Sequence, residues 1–319
     1  MTLAVADPHP LILYTSCGRL CTICRVDKFI QRYYRLSMTD IENLDLLPEE
    51  VLKEILLLEE HQQRLETRSE AQDKFMSYVK HVYDGFIEGT HHRIIAEKLE
   101  RIASGDLKRL IVNMPPRHSK SEFASYLMPS WFLGRNPKLK IIQATMNTEL
   151  AVRFGRKVRD LIADPHYHEI FPNTDLKPDS QAAGRWETSA GGEYFAAGVG
   201  AAMTGRGADL LIIDDPHSEQ DALSASAYDN AWEWYTSGPR QRLQPGGSII
   251  IVQTRWSKKD ITGRLLTAMG KDMMADQWEV VEFPAILPSG EPLWPEFWKK
   301  EELLKVKASL SVGKWNAQW

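Results

Sequence analysis

The sequence predicts an α/β chain in which a central, mainly parallel sheet is flanked by helices and preceded by an N-terminal helical region. Three observations predict it. Short aliphatic runs recur between helical stretches along most of the chain. Several of these runs are apolar at every position, the signature of parallel strands buried on both faces. Upstream of them, apolar residues recur at helical spacing only.

In chain order, residues 48–83 read as helix. Pro48 suits a first turn, Glu49 and Glu50 favour the positive end of the helix dipole, and Val51, Ile55, Leu58 and Leu65 follow at helical spacing. A second pattern follows in Phe75, Val79, Val82 and Tyr83. His91 and His92 precede a further helix, Ile94 to Ala103, which Gly105 closes. They are placed to cap that helix, to lie on the surface, or to contact a base such as adenine. Strands are expected at 109–114 (RLIVNM), 140–145 (KIIQAT), 193–198 (EYFAAG), 210–215 (LLIIDD), 248–254 (SIIIVQT) and 278–283 (WEVVEF). A helix is expected over Thr148–Ala163 after the second strand. Beyond Pro284, prolines at 288, 292 and 295 among tryptophans predict an irregular tail. The expected organisation is a leader (1–37), a helical region (38–105), an α/β core (106–284) and a tail or linker (285–319).

The net charge of −4 and pI near 6.2 exclude a globally basic, nucleic-acid-coating protein. A local basic stripe on an acidic body remains compatible with DNA binding. No apolar run reaches the roughly 18 residues of a membrane span, and the first 20 residues lack the basic segment of a signal peptide. The expected compartment is the cytosol. Cys17, Cys21 and Cys24 cluster with His9 at a spacing unlike ordinary zinc sites, so a reduced leader is the simpler reading. Residues 1–37 carry five Lys/Arg and two acids, whereas residues 40–60 carry eight acids and one lysine. This break is what a natural start at Met38 predicts.

The sharpest motif is NMPPRHSKSE (113–122), between a strand and a helix. A loop that grips phosphate needs backbone N–H groups curving around the anion, a lysine that reaches it, and a hydroxyl for Mg²⁺. Lys120 and Ser121 supply the last two in adjacent positions, with Pro116, Arg117, His118 and Ser119 forming the curve. Against G-x-x-x-x-G-K-[ST], Met114 and Ser119 replace glycines, and Pro115 and Pro116 lack amide donors. Lys-Ser after a strand is also compatible with an ordinary helix start.

Asp214 and Asp215 end an aliphatic strand, expected beside the strand that leads into the lysine loop. Carboxylates at the C-terminal edge of a parallel sheet lie where such sheets bind ligands. Asp214 is placed to hold Mg²⁺ and Asp215 to polarise an attacking water. The alternative is an Asp-Asp-Pro turn that merely ends the strand. Gln253 and Thr254 leave their strand at the same edge and are placed to sense a γ-phosphate, or to form a polar turn. Arg206, between Gly205 and Gly207, and Arg117 are the candidates to neutralise transition-state charge, in their own subunit or a neighbour's. A solvated loop arginine is the alternative for Arg206.

Taken in order, these segments resemble the large terminase subunits of tailed phages. MPPRHSKSE resembles that family's variant Walker A loop, which usually has Gly where Ser119 stands. LLIIDDPHSEQDA resembles its Walker B segment, IIIVQTRWSKKDITGRL its coupling motif, and KIIQATMNTELAVRFGRKVRDLI the strand and helix between. The resemblance spans residues 86–319. It implies an ASCE-type, RecA-like P-loop ATPase using ATP and Mg²⁺, assembled as a ring, pentameric in the family, on the portal protein in the host cytoplasm. Double-stranded DNA and the small terminase subunit are its implied partners. By motif match Lys120 and Ser121 hold phosphate and Mg²⁺, Asp214 is the Walker B acid, and Thr254 is the coupling residue. Arg206 matches a trans-acting arginine finger. Asp215 occupies the position of the family's catalytic glutamate, so a shorter carboxylate must reach the same water, and Glu219 is the reserve.

Large terminases also carry a nuclease domain with clustered acids. No Asp-rich strand set follows Asp215, so no DNA cleavage is expected from this chain. Two rival readings remain: another RecA-like translocase such as a helicase, and a nucleotide-binding assembly module without turnover.

Overall fold

A computed structural model describes residues 49–319. The leader, its cysteines, the Met38 question and Pro48 lie outside the described residues. The chain divides into two compact units, Met1–Thr67 and Arg68–Trp319. In the first, the described residues belong to helix α1, which runs Glu49–Asp73 and passes into the second unit.

In the second unit, α2 (Phe75–Val82) and α3 (Thr90–Ser104) follow. The helical stretch expected over 48–83 is thus two helices, the second beginning at Phe75 where the second apolar pattern begins. Lys74 between them is extended, with φ −111° and ψ 116°. Gly105 closes α3 in the left-handed conformation that glycine adopts without a Cβ clash.

An eight-stranded sheet forms the centre, in the order β3-β4-β5-β2-β6-β7-β1-β8. The strands are β1 (Arg109–Asn113), β2 (Lys140–Thr145), β3 (Leu176–Ala182), β4 (Arg185–Thr188), β5 (Glu193–Gly198), β6 (Ala208–Asp214), β7 (Leu243–Gln253) and β8 (Glu279–Glu282). All neighbours from β5 to β8 pair in parallel, whereas β3–β4 and β4–β5 are antiparallel. All six expected strands are present within a few residues of their expected ends. The edge strand β3 and its neighbour β4 were not expected. LKPDSQA is polar, contains a proline and is half-exposed, which is tolerated only at an edge.

Alternate residues of the central strands enter two apolar cores. Leu110, Val112, Leu210, Ile212, Ile250 and Val252 pack on one face. Ile111, Leu211, Ile213, Ile249 and Ile251 pack on the other. Burial on both faces is why these strands are apolar at every position. At roughly 25 cal/mol per Å² of apolar surface, each such side chain contributes about 1.5–3 kcal/mol, far more than strand propensity.

The remaining helices are α4 (Met128–Arg135), α5 (Thr148–Ile162), α6 (Pro165–Ile170), α7 (Ala225–Ser237), α8 (Ile261–Lys271), α9 (Lys300–Ser309) and α10 (Val312–Gln318). The segment after Pro284 is therefore not irregular throughout. Leu303 and Trp315 bury against Ala285 in a small third core, and the Ala285 amide donates to the Trp319 carbonyl at 2.6 Å. Proline density obscured it, because the prolines sit in the turns ahead of α9. No helix among the described residues is long and apolar enough to cross a membrane.

Candidate functional site

Strand β1 ends at Asn113 and the phosphate-loop candidate begins by hanging on β7, through the Met114 amide to the Gln253 carbonyl at 3.1 Å. The chain then turns through two left-handed residues, Arg117 at φ 61° and Ser119 at φ 70°. This explains the glycine preference at the position of Ser119, since a Cβ strains that conformation. His118 is buried between them and its Nδ1–H donates to the Pro116 carbonyl at 2.8 Å. Lys120 and Ser121 then open the helix.

From Glu122 to Leu127 that helix is widened into a π-turn, with the Met128 amide donating to the Phe123 carbonyl five residues back. Pro129 lies at the next turn. It has no amide for Ser125, and its ring would press on the Ser125 carbonyl in a regular α-helix, so the backbone widens there.

The sequence places Lys120 and Asp214 on adjacent strands; the structure corrects this. Strand β7 stands between β1 and β6, and the two halves of the site meet above it. Ser121 Oγ donates to Asp214 Oδ1 at 3.0 Å, and Ser125 Oγ donates to Oδ2 at 2.7 Å. Asp214 is 1% exposed. Burial first, and then the negative charge of Asp215, push its carboxyl up to about 7, against the opposing pull of Lys120 and the two serines.

Asp215 falls just past β6, with φ 41°. Its Oδ2 lies 3.0 Å from Lys120 Nζ, and its Oδ1 accepts from the Thr254 amide at 2.6 Å. It therefore joins the lysine loop to the segment leaving β7. The Asp-Asp-Pro segment does more than end a strand. Gln253 is buried at 1% exposure, and neither end of its amide has a hydrogen-bond partner among the described residues. Thr254 is 5% exposed, with its backbone engaged by Asp215.

The two arginines separate. Arg117 is exposed on the loop, and its carbonyl accepts from Trp298 Nε1 at 3.4 Å. Arg206 precedes β6, whereas Asp214 ends that seven-residue strand. At ~3.3 Å per residue the strand alone spans about 20 Å, and Arg206 enters it from the end opposite Asp214. Arg206 is ion-paired with Glu193 and its guanidinium lies 3.9 Å over the Phe195 ring. Glu193 and Phe195 of β5 hold the Arg206 side chain here, and no contact joins it to Lys120, Ser121, Asp214 or Asp215 among the described residues. Glu219 is largely exposed and paired with Lys314 on α10 at 3.1 Å, rather than with the lysine loop.

His91 and His92 are fully buried, not surface residues. His92 caps α3, its Nδ1 accepting from the Gly89 amide at 2.9 Å. Their rings pack with those of His118 and Trp294 against the phosphate loop. Burial lowers His91 and His118 to about 4 and His92 to about 3, with neighbouring positive charge adding to it. All three are neutral at pH 7.

Ser125 and Gln143 were missed by sequence reading. Gln143 Nε2 donates to Ser125 Oγ at 2.8 Å, extending the polar contacts of Asp214 into the core. The available signal was a lone amide inside the apolar run KIIQAT, and a serine one helical turn after Ser121.

The oxygen donors here suit a hard divalent cation such as Mg²⁺. Asp214 is a buried carboxyl raised by a second carboxylate, with the Ser121 hydroxyl at 3.0 Å, and a cation would offset that crowded negative charge.

The sequence matches no family model and no curated protein. Among solved structures, the chain is similar to the HK97 bacteriophage large terminase at 11% identity and a TM-score of 0.45, covering 70% of this chain and 47% of that one. It is similar to a mutant ATPase domain of the Thermus phage P74-26 large terminase at 14% identity and a TM-score of 0.47, covering 74% and 94%. A third is the large terminase of a thermophilic bacteriophage in complex with ATP-γ-S, at 10% identity and a TM-score of 0.39, covering 68% and 50%. The chain thus spans about half the length of the first and third of these proteins.

Proposed function

We propose that this chain is the ATP-hydrolysing motor domain of a DNA-packaging machine of the large-terminase kind. The observation that carries the reading is the meeting of Ser121 with Asp214, and of Lys120 with Asp215, above the intervening strand β7. A lysine, a hydroxyl and two carboxylates converging at the C-terminal edge of a parallel sheet are what phosphoryl transfer from a nucleoside triphosphate requires.

In this reading Lys120 leaves Asp215 to hold the β- and γ-phosphates, which also receive backbone amides of residues 117–121. Ser121 and Asp214 hold Mg²⁺, which when bound neutralises phosphate charge. Freed of Lys120, Asp215 orients a water for in-line attack on the γ-phosphorus. The new P–O bond forms as the bond to the β–γ bridging oxygen breaks, ADP leaves with that electron pair, and the water's proton passes toward Asp215. Arg117, exposed on the loop, is the arginine in position to meet the charge spreading onto the γ-oxygens. Arg206 is assigned to a neighbouring subunit's site.

Because the Thr254 amide is bonded to Asp215, the change at Asp215 reaches the segment after β7 directly, and with it α8. Translocation of double-stranded DNA, the portal and small-terminase partners, the subunit ring and the host cytoplasm rest on the motif resemblance of residues 86–319.

Phosphate release from ATP tests the catalytic part. Turnover in the native chain that is abolished by Lys120→Ala supports it. Tight ATP binding without turnover, at any protein concentration and with DNA present, would replace the motor by a nucleotide-binding module.

A further inference from the structure

We infer that Ser125 and Gln143 are positioning residues that fix the metal-holding carboxylate of Asp214. This rests on the reading of Asp214 as the Mg²⁺ ligand and concerns residues that the phosphate-loop and acidic-strand motifs do not include.

Three side chains form one directed chain. Gln143 Nε2 donates to Ser125 Oγ at 2.8 Å, and Ser125 Oγ donates to Asp214 Oδ2 at 2.7 Å. Ser125 and Gln143 are completely buried. The direction follows from the groups themselves. To hold a cation Asp214 must be ionised, and an ionised carboxylate only accepts, so in that state the single hydroxyl proton of Ser125 belongs to Asp214. The oxygen of Ser125 must then receive a donor, which only the NH₂ end of Gln143 provides. A flipped amide would set two acceptors against each other, so the orientation of Gln143 is determined by Asp214 through Ser125.

The backbone explains how the chain reaches its target. Gln143 pairs with Ile212, and Thr145 with Asp214, in the parallel β2–β6 ladder. Gln143 and Asp214 therefore lie on one face of the sheet, two residues apart in register. On the β7 side, Ile212 and Asp214 are flanked on that face by the apolar Ile250 and Val252. The polar side chain beside Asp214 at that level of the sheet comes from β2. The π-turn of residues 122–127 carries Ser125 into the gap between the helix and β6.

The consequence lies in how the two carboxylate oxygens are divided. Ser121 holds Oδ1, but its hydroxyl is also the group that ligates the cation. Oδ2 stays with Ser125, which has no second task. Gln143 keeps the Ser125 proton aimed at the carboxylate, so Oδ1 faces the site while the plane of the group is fixed. Gln143 is a buried amide in an aliphatic strand, and its Oε1 has no partner among the described residues. A residue kept there at that cost is accounted for by what its NH₂ end does.

The test is Mn²⁺ binding, read by electron paramagnetic resonance on the full chain with a non-hydrolysable ATP analogue present. Asp214→Asn sets the scale of complete loss. Ser125→Ala is expected to weaken Mn²⁺ on the order of 10-fold or more, the usual effect of removing a support behind a metal ligand. Gln143→Leu should act in the same direction more weakly. Ser125→Thr, which keeps the hydroxyl, should recover most of the affinity. Metal-free nucleotide affinity should stay at the native value, which a merely structural role of Ser125 would not allow. Should Ser125→Ala fail to fold, Ser125→Cys, close in volume and a poor donor, carries the same expectation. Native Mn²⁺ affinity in the Ser125→Ala or Ser125→Cys and Gln143→Leu variants overturns the inference and leaves the site reading intact. A native chain that binds neither Mn²⁺ nor the analogue overturns the site reading itself.

Discussion

Lys120 and Asp215 face each other across the top of β7, with Nζ 3.0 Å from Oδ2, while the other oxygen of Asp215 takes the Thr254 amide. One carboxylate thus neutralises the phosphate-gripping lysine and ties down the start of the segment beyond β7. Asp215→Asn removes the charge and keeps the shape. Nucleotide binding should persist, because Lys120 no longer has a competing anion, while turnover falls about 10²-fold or more, the usual worth of a positioned base. Asp215→Glu should retain more turnover than the amide. Equal turnover in the native and Asn forms would remove Asp215 from the chemistry.

Ser119 sits at φ 70°, a conformation that costs a side-chain-bearing residue roughly 1 kcal/mol. Ser119→Gly should therefore stabilise the chain, raising the thermal midpoint by about 2 °C for a protein of this size. A lowered midpoint would mean that the Ser119 side chain makes up for its backbone strain.

Acid should loosen the phosphate loop from behind. His91, His92 and His118 are held neutral by burial, at about 4, 3 and 4 in the folded chain against 6.5 when exposed. The unfolded chain takes up protons first, so stability is present above pH 6.5 and declines as pH falls toward 4. Denaturant midpoints at pH 7.5, 6 and 5 should decline in that order. His91→Leu should flatten the slope, since both ring nitrogens of His91 are buried without a hydrogen-bond partner. An unchanged slope in that variant would remove His91 from the effect.

Arg206 has a structural task that complicates any finger assignment. Its pairing with Glu193 and its position over Phe195 should make Arg206→Ala destabilising by about 1–2 kcal/mol. Glu193→Gln breaks the same pair and leaves the arginine in place. If Arg206 acts in a neighbour's site, turnover should rise steeply with protein concentration in the native and Glu193→Gln chains and stay low in Arg206→Ala. Equal losses in the two variants would assign Arg206 to the fold alone.

The legible parts of this chain were those governed by one dominant force. Doubly buried strands have to be aliphatic, so LIVN, KIIQAT and LLIID were visible at nearly their final boundaries. The polar edge strand β3 was not, because pairing with a neighbour, rather than burial, makes it a strand, and β4 is only four residues long. The site divides the same way. Lys120, Ser121 and Asp214 announce themselves by charge or hydroxyl at the end of an apolar run. That Asp215 bonds Thr254, that Arg206 pairs with Glu193, and that Ser125 meets Gln143 depend on strand order. Strand order is set by long-range packing, and no local pattern encodes it.

The position of β7 also governs where this protein tolerates changes in length. Strands β1 and β6 share no hydrogen bonds, and each takes its height from the same residue, Ile251, which pairs with Ile111 on one side and Ile213 on the other. One residue inserted between Ile249 and Gln253 would exchange the two faces of the strand and lift the lysine loop and the acids out of alignment together. Lower down, the ladder already absorbs extra chain. Ala208 pairs with Leu243 and Leu210 with Ser248, and the surplus loops out around Gly246 at φ 81°. Insertions and deletions in β7 should accumulate around that bulge and stop short of Ile249.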